Sequence, residues 1–302
     1  MSIKANSARD LDAYLRTLDC AVPRELPELS DAERAHSAHL TQHIRAEIAH
    51  AGGAIDFARF MELALYAPGL GYYSAGTQKF GASGDFITAP ELSPLFAQCL
   101  ARACAPILQS LTRADVLEAG AGSGVLAAGL LENLQTLDAL PARYFILELS
   151  ADLRARQRAL LQQRVPALLP RVQWLEQLPA QFRGVVLGNE LLDAMPAARF
   201  IWGEHGAQRL QVGDDNGSFL WRAGAPDTAL SAYLADLELP FAYISEVNEQ
   251  AQAWLRTLGA RLQAGALLLI DYGFPRAEFY HPQRTLGTLM CHYRQRAHGN
   301  PF

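Results

Sequence analysis

The stretch Val116-Leu117-Glu118-Ala119-Gly120-Ala121-Gly122-Ser123-Gly124 runs directly into a helix-forming apolar segment, Val125 to Leu134. An apolar run ending in an acid, then glycines at alternate positions, then a helix former, reads as a strand, a tight turn and a helix N-terminus. Glycine lets the backbone approach a ligand closely, and the first turn of a helix offers unpaired N–H groups. The dinucleotide fingerprint G-x-G-x-x-G would need glycine at position 125, where this chain has valine. The spacing therefore points away from a hydride-carrying dinucleotide.

Working outward, apolar runs suited to buried parallel strands occur at 115–119, 143–149, 171–175, 184–189 and 266–271, with helical segments such as 151–164 and 249–263 between them. Strands alternating with helices predict an α/β fold, a doubly wound and mostly parallel sheet. Residues 1–30 read as a loosely held arm, 31–50 and 91–110 as helices of an N-terminal extension, and 198–222 as a β-hairpin insertion beside the sheet. The expected division is 1–110, arm and helical extension, and 111–302, the core. The E-x-G-x-G-x-G loop resembles the cofactor loop of class I S-adenosylmethionine (SAM) methyltransferases.

Composition narrows the class. The chain has 302 residues, half of them hydrophobic, enough for a full core. A formal net charge of −5 gives no electrostatic case for nucleic acid. The charged N-terminus lacks a signal-peptide core, and no uncharged run is long enough to span a bilayer. The cysteines Cys20, Cys99, Cys104 and Cys291 form no C-x-x-C pair and suit a reducing compartment, with cytoplasm as the expected location.

In an open α/β sheet, ligands bind at the carboxyl ends of the strands. The first strand end carries Glu118, Gly120, Gly122 and Gly124; the second carries Glu148, placed where a carboxylate would accept two hydrogen bonds from ribose hydroxyls. Glu148 could instead cap the following helix with Ser150. At the third end, Trp174, Glu176 and Gln177 suit an adenine edge, or Trp174 is simply an edge-of-sheet residue. At the fourth, Asn189, Glu190 and Asp193 could hold a guanidinium, which needs planar acceptors; the plainer reading is an N-cap with acids at a helix start. In the segment GDFITAPELS, Gly84, Asp85 and Thr88 could meet the amino or carboxylate end of a SAM-like ligand, or form an ordinary turn. His36, His39 and His43 share a helical face, but no acid or cysteine completes a metal set, so no metal is expected.

Five segments together resemble the MidA-type methyltransferases, a family that includes the mitochondrial complex I assembly methyltransferase: VLEAGAGSG, FGASGDFITAPELSPLFAQ, YFILELSADLRARQ, GNELLDAMP and LLLIDYGFPRAEFYHPQRTLGTLMCHYRQRAH. The resemblance runs from about residue 37 to the last residue and includes ALYAPGLGYYS. It implies a class I fold, SAM as methyl donor and, for the mitochondrial relatives, dimethylation of a protein arginine during respiratory complex I assembly. Position by position, it implies cofactor contacts for Gly120, Gly122 and Glu148, a closing loop with Gly84, Asp85 and Thr88, and an acceptor side with Asn189, Glu190 and Asp193. A homodimer stays open. The family pattern has an acid before proline where this chain has Asn300-Pro301, and it continues beyond position 302, so a C-terminally shortened member is expected. A small-molecule methyltransferase, an NAD-dependent oxidoreductase and a non-catalytic assembly scaffold are the rival readings.

Overall fold

The computed structural model describes residues 9–18, 26–74 and 88–302. In chain order the described elements are α1 (Arg9–Thr17), α2 (Asp31–His50), β1 (Ala54–Asp56), α3 (Phe57–Tyr66), α4 (Ala89–Leu92), α5 (Pro94–Gln109), β2 (Asp115–Ala119), α6 (Val125–Thr136), β3 (Tyr144–Leu147), α7 (Ala151–Arg164), β4 (Val172–Leu175) and β5 (Phe182–Asn189). They continue as β6 (Ala198–Gly203), β7 (Gly206–Asp215), β8 (Ser218–Pro226), α8 (Thr228–Tyr233), β9 (Tyr243–Val247), α9 (Glu249–Arg261), β10 (Leu262–Ile270), α10 (Arg276–Phe279), β11 (Cys291–Tyr293) and β12 (Arg296–His298).

The α/β unit comprises the described residues of Gly76–Ala194 together with Ala251–Tyr272. Its sheet is wholly parallel, in the order β10-β5-β2-β3-β4. The first strand of this unit, β2, is therefore central, and the chain reverses direction across the sheet between β2 and β5. That is the switch point at which a crevice opens beyond the strand ends. Alternation along β2 explains its complete burial. Val116 packs with Tyr144, Ile146 and Val185 against Ala101, Leu130 and Leu161 of α5, α6 and α7. Leu117 faces the other way, with Phe145, Val186 and Leu258 of α9. Helices thus cover both faces, which is why these strands read as continuous apolar runs.

The second unit comprises the described residues of Met1–Ala75 with Met195–Gln250 and Gly273–Phe302. Here β1, β7, β6 and β9 form an antiparallel sheet, with β8 pairing β7. This differs from the expected boundary at 110/111 and from a hairpin beside the parallel sheet. The segment 198–222 contributes to three strands of a five-stranded sheet with its own core, because its alternation buries Phe200 and Ala207 in one cluster and Ile201, Leu210, Val212 and Trp221 in another. The turn signal was sound: Asn216 and Gly217 have φ of 50° and 95°, as a tight hairpin between β7 and β8 requires. Residues 9–17 are also not a loose arm. Leu11 and Leu15, one helical turn apart, are buried in this second core, and Asp12 accepts a hydrogen bond from the Ala223 amide at 3.1 Å.

Candidate active site

At the end of β2, Gly120, Gly122 and Gly124 have φ of 70°, 52° and 86°, the left-handed region that favours glycine. A Cβ at Gly120 would lie 2.9 Å from the Leu191 side chain, and one at Gly124 would lie 3.2 Å from the Gln157 backbone. Gly124 is the N-cap of α6 and supplies no side-chain cap, so no cap side chain takes the first amides of the helix. This turn fits the group that the spacing suggested: it is a backbone cradle with a helix N-terminus.

Glu148, at the end of β3, is partly buried. Its Oε1 accepts from the Ser150 amide at 2.9 Å and its Oε2 from the Gln157 side chain at 3.3 Å. Burial pushes its carboxyl pKa up, against those hydrogen bonds. Ser150 itself caps α7 through the Leu153 amide, at 3.3 Å, while its own amide is held by Glu148, so the Ser150 partnership that a capping role for Glu148 implies is present. Gln157 is the residue that motif reading missed. Fully buried on α7, it donates to the Gly122 carbonyl at 3.0 Å and accepts from Trp174 Nε1 at 2.9 Å. One amide therefore joins the glycine turn, Glu148 and Trp174. It closes the segment YFILELSADLRARQ, but a helical glutamine there carries no signal of the three groups it joins. Leu149, beside Glu148, is 73% exposed and presents an apolar side chain at the strand end. Arg158 lies over the Trp174 ring at 4.4 Å, and Glu176 pairs with Arg154 at 2.7 Å. Gln177 is exposed.

Glu118 is set apart. Only 2% exposed, it lies on the same face of β2 as Val116 and accepts from the Tyr144 hydroxyl at 2.6 Å. Burial raises its pKa to about 7, against the Tyr144 bond.

A second cluster forms where β5 and β10 end. Glu190 has φ of 50°, uncommon for a non-glycine residue and costly by about 1–2 kcal/mol. Its amide donates to the Ile270 carbonyl at 2.8 Å, and its carboxylate accepts from Asn189 at 3.3 Å. Partial burial raises its pKa, and the charges of Asp271 and Glu91 add to the effect. Asp193 is exposed, yet desolvation by its surroundings, then the charges of Asp271 and Glu190, push its carboxyl up to about 6. Asp271 was not singled out from the sequence, although it ends the fifth parallel strand, where the strand-end rule applies. Its Oδ2 accepts from the Leu192 amide at 2.6 Å and the Asp193 amide at 3.3 Å.

Gly84 and Asp85 lie outside the described residues. Thr88 is the N-cap of the short α4 and makes no side-chain cap bond; the next amide, Ala89, donates to Glu190. The described end of GDFITAPE therefore meets the acidic turn. His36 bonds the Leu70 carbonyl at 2.7 Å, and among the described residues no group of three or more His, Cys, Asp or Glu is arranged to hold a metal ion. A cavity of about 640 Å³, lined by Asp115, Arg143, Phe145, Phe182 and Gln263 among others, lies at the opposite, amino ends of the strands, away from these groups.

Comparison with known proteins agrees with this geometry. The family model described as "Putative S-adenosyl-L-methionine-dependent methyltransferase" matches residues 99–302. A crystal structure of a "likely methyl transferase" from Burkholderia thailandensis bound to S-adenosyl-homocysteine is 49% identical, with a TM-score of 0.88, over 92% of this chain and 73% of that one. The protein arginine methyltransferase NDUFAF7, mitochondrial, of Danio rerio is 27% identical over 86% of this chain and 68% of its own length. For its Drosophila melanogaster homolog the figures are 27%, 83% and 64%. The chain thus spans about two thirds of the length of these arginine methyltransferases. A bare glycine turn at the switch point, a carboxylate at the next strand end and these matches make one case: the chain belongs to the MidA-type family of class I SAM-dependent methyltransferases.

Proposed function

We propose that this methyltransferase acts on an arginine side chain of a protein, in the setting of respiratory complex I assembly that the family resemblance implies. The observation that carries the reading is the convergence of the Glu190, Asp193 and Asp271 carboxylates at the ends of β5 and β10, beside the switch point. A guanidinium is planar, cationic and rich in donors, so a set of partly desolvated carboxylates suits it. The names of the 27% identical relatives support the same acceptor.

Gly120, Gly122 and Gly124 would hold the donor through backbone N–H groups, Glu148 its ribose hydroxyls, and Leu149 and Trp174 the flanks of its adenine. Thr88, with Gly84 and Asp85 of the same segment, would close the donor side. When bound, SAM supplies an electrophilic methyl group on a sulfonium. Glu190 and Asn189 would orient the acceptor nitrogen for in-line attack; such positioning can lower a barrier by roughly 7–11 kcal/mol. The new N–C bond forms as the C–S bond breaks, its electron pair staying on sulfur. Asp193 would take the N–H proton that the methylated nitrogen sheds, a role suited to a carboxylate with raised proton affinity.

The test is Glu190→Gln with methyl-labelled SAM and a cell lysate as acceptor. The variant is expected to bind SAM with wild-type affinity by calorimetry and to lose labelled methylarginine, identified by mass spectrometry. Wild-type turnover in this variant would overturn the role of Glu190, and label confined to other residues would overturn the arginine acceptor.

A further inference from the structure

Asp271 falls within the segment LLLIDYGFPRAEF but has no role assigned from the sequence, yet it is the most heavily engaged carboxylate at the acidic strand ends. Its Oδ2 accepts from the backbone amides of Leu192 and Asp193, at 2.6 and 3.3 Å, and its Oδ1 accepts from the Tyr272 amide at 2.9 Å. Those bonds cross from the end of β10 to the turn after β5, whose own first residue, Glu190, is tied back to β10 through the Ile270 carbonyl at 2.8 Å. The two strand ends are thus laced together in both directions, around a residue held at a positive φ. Left to itself, a turn bearing Glu190 and Asp193 would swing its like charges apart.

We propose that Asp271 is the positioning residue of the acceptor side: its paired backbone bonds fix the Leu192–Asp193 turn, and its charge completes a three-carboxylate field that selects a cationic acceptor. This rests on the arginine reading above for the identity of the acceptor, but not for the positioning. Asp271 acts through Asp193 and Glu190 rather than by taking part in the reaction. The charges that face Asp193 are Asp271 at the end of β10 and Glu190 at the end of β5, and Glu91 of α4 in turn faces Glu190. All are acidic, and Tyr272, 78% exposed beside them, has its phenol pKa raised chiefly by Glu190. Such a field admits a guanidinium or ammonium group and rejects an anion or a neutral hydroxyl compound of the same size.

The experiment compares wild type with Asp271→Asn and Asp271→Ala by three readouts. S-adenosylhomocysteine binding by calorimetry is expected to stay within about two-fold in both variants, which shows that the fold and donor side are intact. The Asp193 carboxyl, followed by carbon NMR of the whole protein, is expected to titrate near pH 6 in wild type and clearly lower in Asp271→Asn, where a neutral group of the same shape replaces the charge. Methyl transfer to the labelled lysate acceptor is expected to lose more than ten-fold in kcat/KM in Asp271→Ala, and the acid limb of its pH profile to move down in Asp271→Asn.

An unmoved Asp193 titration in Asp271→Asn, or wild-type transfer by Asp271→Ala, overturns the proposal. If the wild-type protein methylates no arginine, the arginine reading falls by itself, and the NMR titration still decides whether the Asp271 charge belongs to the field around Asp193.

Discussion

Gln157 on α7 donates its side-chain amide to the carbonyl oxygen of Gly122 at 3.0 Å. The bond ties a helix to the middle of the glycine turn. The same side chain also meets Glu148 and Trp174, so removing it releases three groups at once. Gln157→Ala is expected to weaken SAM binding about ten-fold, roughly 1.4 kcal/mol, and to lower the melting temperature, since a lost buried partner costs about 1–3 kcal/mol. Calorimetry and a thermal melt check this; unchanged affinity would show that the turn holds its shape unaided.

Gly122 sits at a φ of 52°. A β-branched residue there is strained by about 1–3 kcal/mol and fills space on the face where the backbone must approach the donor. Gly122→Val is therefore expected to abolish SAM binding in calorimetry while circular dichroism still shows the folded α/β protein. Retained binding would remove the turn from the donor site.

The Glu118 carboxyl, with its pKa raised to about 7, makes the ligand-free protein sensitive to pH. Folded, the group holds its proton up to about pH 7; unfolded, it loses it near 4.5. The unfolded state thus binds fewer protons between those values, so stability falls as pH rises through the window, by roughly 3 kcal/mol in all. Glu118→Gln, which cannot ionise, is expected to flatten this part of the curve in urea titrations at pH 5 and pH 8. An identical slope in the variant would assign the dependence elsewhere.

In the second unit, Arg199 and Glu246 form a buried ion pair at 3.1 Å, with side chains 7% and 9% exposed. Arg199 also donates to the Leu286 carbonyl at 2.8 Å, and Glu246 accepts from the Thr288 amide at 2.8 Å, so the pair pins residues 286–288 to β6 and β9. Glu246→Ala leaves a buried guanidinium without its counter-charge, expected to cost about 3–5 kcal/mol. Denaturation would show the loss in thermal stability, and a double variant with Arg199→Leu is expected to recover part of it.

The parallel sheet was readable because burial on both faces writes itself as apolar runs, and β2 and α7 fall at the residues where the pattern places them, 115–119 and 151–164. The glycine turn was readable because glycine is the residue that most readily takes its three positive φ values at alternate positions. Glu148, Glu190 and Asp193 were singled out by a topological rule, that strand ends face the crevice, and the structure places all three after parallel strands. Asp271 obeys the same rule and falls within LLLIDYGFPRAEF, but its bonds to the Leu192 and Asp193 amides could not be read from that segment.

The antiparallel unit was the largest gap. Its sheet pairs β1, from before the α/β unit, with β7, from the segment that interrupts it, and nothing in a local window records a partnership across that distance. By itself the sequence set the dinucleotide fingerprint aside through spacing and pointed to the cofactor class through the loop's resemblance to that of class I SAM methyltransferases. Tertiary structure decided which carboxylates share a site, which one lies sealed against Tyr144, and that a fully buried glutamine braces the glycine turn. The reason is physical: conformational preference is local to a few residues, whereas desolvation and hydrogen-bond partnership depend on what the finished fold brings alongside.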